Sequence, residues 1–553
     1  MRIVYSKSRR IDHLLGLFLA IGYLAVLLGT AYNLGYSRDE GFYFRAARDY
    51  QGWFSVLDEN PQKAMEPRSI NKYWSYNHEH PALMKTLFGF SDRFFNKKWK
   101  IMSPSTALRF PGMITAALAV YLIFLWGSFS FGRRAGFFAA AAFALMPRVF
   151  YHAHLCCFDV AITTFWLLVT YFYWRSLSSV RFGIVAGIAF GLALCVKLNA
   201  FFLPFVLVLH YFILLIFRRR KGLRNGGPKP WAFVFGIVFA PAIFFAHWPW
   251  IWHNTLNRIG FYMGFHSNHP HYNTAYFGEN IIQAPTPVSL PLVMTLFTVP
   301  TVIMLLFIAG SFLRLRHHIP ARFENKLSVL WRKTGPDSKD GLDLLLFMSA
   351  GFSIVLISLP FVPIFGGTKH WMPSMPFVAI LAGVAAARLV DVVADIIPKI
   401  PIAVTTALTL ALLVAAPLQQ TIASHPMGLA SYVPLIGGAR GAADMGMLRQ
   451  FWGYTTAGVL PYIRENVGKK KSVYFHDTSA PSVRMFREEG TLRADIQSTG
   501  SIGRSDWALI HHELHMIRQE SWIWNNYKTI APVHVLKYQG VPIVSVYRRH
   551  HDE

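Results

Sequence analysis

Asp39 and Glu40 stand side by side in Ser37-Arg-Asp-Glu-Gly, just after the first apolar run, in a chain with few carboxylates. A carboxylate at such a boundary can take the proton of an incoming hydroxyl or orient it. Ser37-x-x-Glu40 is also a capping box, with Glu40 reaching back to the Ser37 amide, so Glu40 has a structural reading as good as a chemical one. The box does not use Asp39, which leaves that side chain for chemistry. Asp159, ahead of Val-Ala-Ile-Thr-Thr-Phe-Trp, is the third catalytic candidate. It could N-cap the helix that follows, yet an ionisable group at the edge of a span is a functional candidate by default.

Cations form the second constellation. Lys85 ends His78-Glu-His-Pro-Ala-Leu-Met-Lys, Lys197 closes an apolar run, Arg258 stands in an outer loop, and Lys369-His370 precede Trp371. A lysine at a helix end can simply snorkel to the headgroups. Several cations converging on one site would instead suit a phosphate, with His80 and His370 as further donor-phosphate or substrate contacts. Ten of the 22 histidines fall in the same outer loops, at 78, 80, 152, 154, 247, 253, 266, 269, 271 and 370. With Asp39 and Asp159 they could ligate a divalent metal, although their spacings match no zinc motif.

The elements that must position these residues are set by composition. The 553 residues are 53% hydrophobic and only 15% charged, with a mean hydropathy of +0.34. Soluble domains carry about 25% charged residues, so this is a polytopic membrane protein. The formal charge of +26 comes from short basic clusters between apolar runs, which is a topology signal and not a nucleic-acid surface. Apolar runs predict about 11 transmembrane helices: one from Leu14 to about Leu34, then others near 107–131, 136–151, 160–177, 183–198, 200–217, 232–248, 291–313, 342–360, 372–390 and 401–418. Arg2, Lys7, Arg9 and Arg10 put the N-terminus in the cytoplasm, and Arg133/Arg134, Arg218 to Lys221 and Arg314/Arg316/Arg332/Lys333 fall on the same side. The segment 35–106 is then an outer loop with interfacial amphipathic helices, marked by Ala46, Ala47, Tyr50, Trp53, Phe54 and Leu57 at helical spacing. Residues 1–420 make the transmembrane catalytic domain, and 421–553 a small extracytoplasmic α/β domain. Strands are predicted at Ser472–Phe475, Trp507–His511 and Val541–Tyr547, a helix over Pro481–Glu489, and a hairpin turn at Gln539-Gly540. Cys156, Cys157 and Cys195 read as buried thiols.

A resemblance lies in the order of these motifs. The Asp-Glu pair after the first span, His80-Pro-x-Leu-x-Lys85, Arg109-Phe-Pro, Phe131-Gly-Arg-Arg-Ala-Gly, the Asp159 and Lys197 segments, and Lys369-His-Trp-Met-Pro together resemble the GT-C glycosyltransferases. Within them the chain is similar to the protein O-mannosyltransferase and aminoarabinose-transferase branch, over about residues 1–400. The resemblance implies a GT-C-type enzyme of the inner membrane that moves a sugar, with inversion, from a polyprenyl-phosphate carrier to an acceptor on the periplasmic face. It makes Asp39 the base, Glu40 its neighbour, and Lys85, Lys197 and Lys369 phosphate contacts. His80-Pro81-Ala82 stands where the mannosyltransferase branch has a double proline, and Lys369-His370 where an Arg-Tyr pair is frequent, so sugar and acceptor do not transfer. The partners are thus a lipid-linked sugar donor, an unknown acceptor and membrane lipids. A transporter or flippase is the alternative reading, but paired midplane charges and inverted repeats are not evident. A non-catalytic scaffold would leave Asp39 and the lysines unexplained.

Overall fold

The computed structural model describes residues 7–220, 227–271, 273–315, 340–364 and 367–550. Arg2, Lys221, Arg316, Arg332 and Lys333 lie outside them. The first apolar run forms α1 (Lys7–Thr30). The long outer loop folds into α2 (Arg38–Glu59), α3 (Pro61–Met65), α4 (Pro67–Trp74) and α5 (Leu83–Ser91). An apolar bundle follows, with α6 (Pro104–Phe131), α7 (Arg133–Ala144), α8 (Pro147–Ala153), α9 (Asp159–Ser176), α10 (Val180–Leu194), α11 (Leu203–Arg220) and α12 (Trp231–Ala246). After α13 (Thr255–Ser267) comes a hairpin of β1 (Thr274–Tyr276) and β2 (Glu279–Ile281). The bundle then resumes with α14 (Leu290–Thr298), α15 (Thr301–Leu315), α16 (Asp340–Ile357), α17 (Met375–Ile396) and α18 (Ile402–Ser424).

Among the described residues, five stretches are long and apolar enough to cross a bilayer: Arg9–Asn33, Pro104–Phe131, Leu198–Arg219, Met372–Ile396 and Ile402–Ser424. The pair α14 and α15, bent by 117°, makes a sixth if it is one broken span. Val180–Leu194, Trp231–Ala246 and Gly341–Ile357 are apolar but shorter. The run at 136–151, expected as one span, is two helices, because α7 stops at Leu145 and Pro147 opens α8. At about 1.5 Å per residue neither spans a ~30 Å hydrocarbon core. Gly132, at φ 95, makes the turn that folds α7 back on α6, a backbone state that side chains other than glycine's rarely adopt.

The apolar face of α2 also differs from expectation. Ala46, Ala47, Tyr50 and Trp53 are buried against protein instead of facing lipid. Tyr50 and Trp53 pack on Trp74 of α4 with ring centroids 4.5 and 5.5 Å apart, and the Trp53 indole donates to the Ala64 carbonyl at 2.9 Å. The outer loop carries enough aromatic surface to build a small core of its own.

The last part of the chain holds α19 (Gly438–Asp444), α20 (Leu460–Asn466) and a five-stranded sheet with two helices. The strands are β3 (Ser472–Phe475), β4 (Gln497–Thr499), β5 (Trp507–His511), β6 (His534–Tyr538) and β7 (Val541–Arg548), in the order β4-β3-β5-β7-β6. The helices are α21 (Ala480–Glu488) and α22 (Ile517–Tyr527). β3 lies parallel to β4 and β5, and β7 antiparallel to β5 and β6. The three strands, the helix and the Gln539-Gly540 turn read from the sequence are all present. β4 and α22 were not anticipated.

Candidate active site

Asp39 owes its position to the first turn of α2. The capping box is made: the Glu40 amide donates to Ser37 Oγ at 3.4 Å, and the Ser37 amide to Glu40 Oε2 at 3.0 Å. The next amide, that of Arg38, donates to the Trp452 carbonyl at 2.7 Å. Successive residues of a helix diverge by about 100°, so Asp39 and Glu40 cannot serve the same place. Glu40 is 0% exposed and takes Arg109 Nε on Oε1 at 2.8 Å and Arg109 Nη2 on Oε2 at 2.9 Å, with the Cys156 amide also on Oε1 at 2.9 Å. It ties α2 to α6 and to the segment before α9. Asp39 faces a cavity.

That cavity, of about 690 Å³, is lined by Asp39, Asp159, His80, Lys197, Lys369 and His370 of the residues singled out from the sequence. Asp159 begins α9, with no side-chain cap at that end, and accepts from Lys197 Nζ at 2.7 Å on one oxygen. His152 Nδ1 stands 3.4 Å from the other. Lys197 is brought there by an extended residue between α10 and a short turn, Leu198–Phe202. Lys369 comes from the turn Gly367–His370; its ammonium lies 3.9 Å from Asp39 Oδ2 and 3.9 Å from the centre of the Trp452 ring. Burial lowers the Lys369 pKa, opposed by Asp39 and Asp159. Burial also holds His80 well below 6.5 and brings His266 to about 4, so both imidazoles are neutral at pH 7. The lining also includes apolar side chains, Trp166, Phe202, Leu356, Ile357 and Phe361. The cavity thus combines three carboxylates, Asp39, Glu79 and Asp159, with Arg38 and two lysines that a phosphate could draw from Asp39 and Asp159, and an apolar flank for a lipid chain.

Other expected site residues point elsewhere. Lys85 is buried and donates to the Asn77 carbonyl, to Asn77 Oδ1 at 3.3 Å and to the His80 carbonyl at 2.8 Å, and burial brings its pKa to about 7. It closes the loop that carries His80. Arg258 donates to the Trp250 carbonyl and to Asn71 Oδ1 at 2.7 Å, locking α13 to α4. Neither lines the cavity, nor does Glu40. Among the described residues no group of three or more His, Cys, Asp or Glu side chains is placed to hold a metal ion.

His266 and His269, two of the outer histidines read as possible metal ligands, also line the cavity, as do Arg38, Asn77, Glu79 and Trp452, which the sequence did not mark as site residues. Trp452 follows the last bundle helix by many residues, and only the aromatic pair Phe451-Trp452 before Gly453 hinted at it. It arrives because the C-terminal domain clasps α2. Arg38 Nη1 donates to Asp477 Oδ1 at 2.8 Å, and Arg48 makes two bonds to Glu488 at 2.9 and 2.8 Å. Tyr36 donates to Glu489, which also accepts from the Ser105 amide at 2.9 Å. Gly41 permits the contact, since a Cβ there would lie 2.1 Å from Ser479 Oγ. His511 is buried beside His476, 3.2 Å between Nδ1 atoms, whereas His512 turns to Ser545 at 2.8 Å, as alternation along a strand requires.

Residues 99–250 match the family model described as dolichyl-phosphate-mannose-protein mannosyltransferase. No curated protein matches the chain. Among solved structures, the Archaeoglobus fulgidus oligosaccharyltransferase tethered with an acceptor peptide is similar, at 11% identity and a TM-score of 0.50, over 94% of this chain and 71% of that one. ArnT from Cupriavidus metallidurans bound to undecaprenyl phosphate is similar over 96% of this chain and 97% of that one, at 14% identity and a TM-score of 0.46. The chain is thus a multi-pass membrane protein that shares its fold with GT-C membrane enzymes, and its residues 99–250 match the mannosyltransferase family model.

Proposed function

We propose that the chain is an inverting glycosyltransferase that takes a sugar from a polyprenyl-phosphate carrier and passes it to an acceptor on the outer, periplasmic face of an inner membrane. The observation that carries this reading is the pairing of Asp39 with Lys369 and Asp159 with Lys197 around one cavity with an apolar flank. The family described for residues 99–250 uses a sugar on a polyprenyl phosphate, which agrees with those ingredients.

Asp39, the less buried of the two acids, takes the proton of the acceptor's nucleophilic group as its oxygen or nitrogen bonds to the anomeric carbon. The bond from that carbon to the phosphate oxygen breaks, and the electron pair leaves with the phosphate. Lys197 and Lys369 meet the charge that develops there, which is where fixed cations stabilise a transition state. Before transfer, the phosphate draws Lys197 away from Asp159. His80 and His266, neutral, can donate or accept hydrogen bonds to sugar hydroxyls without adding charge. The positive-inside signal within the described residues, Arg9 and Arg10 in α1, Arg133 and Arg134 at the start of α7, Arg218 and Arg219 at the end of α11 and Arg314 in α15, supports the outward placement of the site.

The test is transfer from purified polyprenyl-phosphate sugars by the full-length protein in nanodiscs, with the product's anomeric configuration read by NMR. Inversion, and a loss of about 10²–10⁴ in rate for Asp39→Asn, are expected. No transfer from any donor of a broad panel, together with vectorial movement of lipid-linked sugars in liposomes, would replace the enzyme by a transporter.

A further inference from the structure

Trp452 bears two structural costs at once. Its backbone sits at φ 78, in the left-handed region that a bulky side chain avoids. Its indole Nε1 is buried without an acceptor, in a residue 4% exposed. Strain of this kind persists where surrounding structure imposes it, and it gathers at functional sites. Here the surroundings are explicit. The Trp452 carbonyl takes the first amide of α2, the helix of Asp39, and the residue after it, Gly453, is also left-handed at φ 67. The outcome is an indole presented to the cavity with the Lys369 ammonium 3.9 Å from its centre.

The same ammonium is 3.9 Å from Asp39 Oδ2, longer than the direct pair that Lys197 makes with Asp159 at 2.7 Å. Asp39 is paired at both oxygens, with Arg38 Nε 3.7 Å from Oδ1 and Lys369 Nζ 3.9 Å from Oδ2, and the indole adds a contact to the ammonium that uses no carboxylate oxygen. A cation over an indole face is held by the ring quadrupole without a proton or charge being neutralised.

We propose that Trp452 is a positioning residue of the transfer site. It seats Lys369 on its indole face, beside the Asp39 carboxylate, where the ammonium meets the donor phosphate. The inference rests on the function proposed above. It also makes the segment after α18 part of the donor site.

The experiment is native mass spectrometry titration of full-length protein with undecaprenyl phosphate, for wild type, Trp452→Leu, Trp452→Phe, Lys369→Met and the Trp452→Leu/Lys369→Met pair. Trp452→Leu should raise Kd about ten- to thirtyfold, the size of a desolvated cation–π contact, and Trp452→Phe by about threefold or less. The double variant should bind like Lys369→Met alone, because the indole acts only through that ammonium. An unchanged Kd in Trp452→Leu, or the same loss with and without Lys369, would overturn the proposal, since mere packing gives additive effects. Should Trp452→Leu fail to fold, Trp452→Gly takes its place in the cycle, because glycine accepts φ 78 without strain. Wild type that binds no undecaprenyl phosphate would refute the transferase reading itself, a result distinct from wild type that binds and variants that bind equally.

Discussion

Replacing Glu40 by Gln separates the two neighbouring acids. From the capping box alone the change should cost little, since Gln serves at that position as well as Glu. The tertiary structure argues otherwise. Glu40 and Arg109 are 0% and 1% exposed, and the two Glu40 oxygens accept four hydrogen bonds, from Arg109 Nε and Nη2 and from the Cys156 and Ser37 amides. Gln keeps one oxygen and turns an NH2 group toward two donors, so those donors lose their acceptor. Each unsatisfied buried donor costs about 1–3 kcal/mol. The larger effect is the charge, because Arg109 would be left as a buried cation without its carboxylate. Breaking one side of such a pair costs about 3–5 kcal/mol. Glu40→Gln should therefore melt several degrees below wild type in a thermal unfolding assay in detergent, and Asp39→Asn, whose side chain faces the cavity, close to it. Removing both charges with Glu40→Met and Arg109→Met should recover part of the loss, as apolar replacement of buried pairs often does. Glu40→Gln with wild-type melting but abolished transfer would refute this assignment and make Glu40 a chemical participant.

Three more outcomes follow from the geometry. Lys197→Ala and Lys369→Met should each weaken undecaprenyl phosphate binding by about ten- to a hundredfold, whereas Lys85→Met should leave Kd within about twofold and lower the melting temperature; equal Kd effects for all three would reject the distinction. Burial, against the pull of Arg38 and with a push from Asp39, raises the Asp477 pKa from 3.8 to about 6. The folded state thus keeps a proton that the unfolded chain has lost over that interval, so this group's stabilisation is present at its acid end and fades as pH rises through about 6. Asp477→Asn should flatten the melting temperature against pH there, and an unchanged slope would sink the argument. Finally, the three native cysteines are buried, so single cysteines report topology directly. Arg484→Cys, exposed on α21, should react with an impermeant maleimide added outside, and Lys399→Cys, exposed between α17 and α18, should not; the reverse pattern would place the cavity on the other side.

Some of this was legible along the chain because it rests on local periodicity and chemistry. Long apolar stretches specify membrane helices whatever they pack against. Alternation at Ser472–Phe475, Trp507–His511 and Val541–Tyr547 specifies strands, since side chains alternate faces every residue. Ser37-x-x-Glu40 specifies the start of α2 by bonds within one turn. What each polar side chain then meets depends on partners far away in sequence. Arg109 is 69 residues from the Glu40 it neutralises, and Asp477 is 439 from Arg38. Lys85, Lys197 and Lys369 are equivalent as residue types, yet one closes a loop while two reach the cavity. Trp452 enters only because the C-terminal domain docks on α2. Residue type and local pattern determined the class of protein and much of its secondary structure; the choice of which acids, lysines and aromatic rings share one desolvated space belongs to the packing of distant segments, because ion pairing and burial depend on distances that sequence separation does not encode.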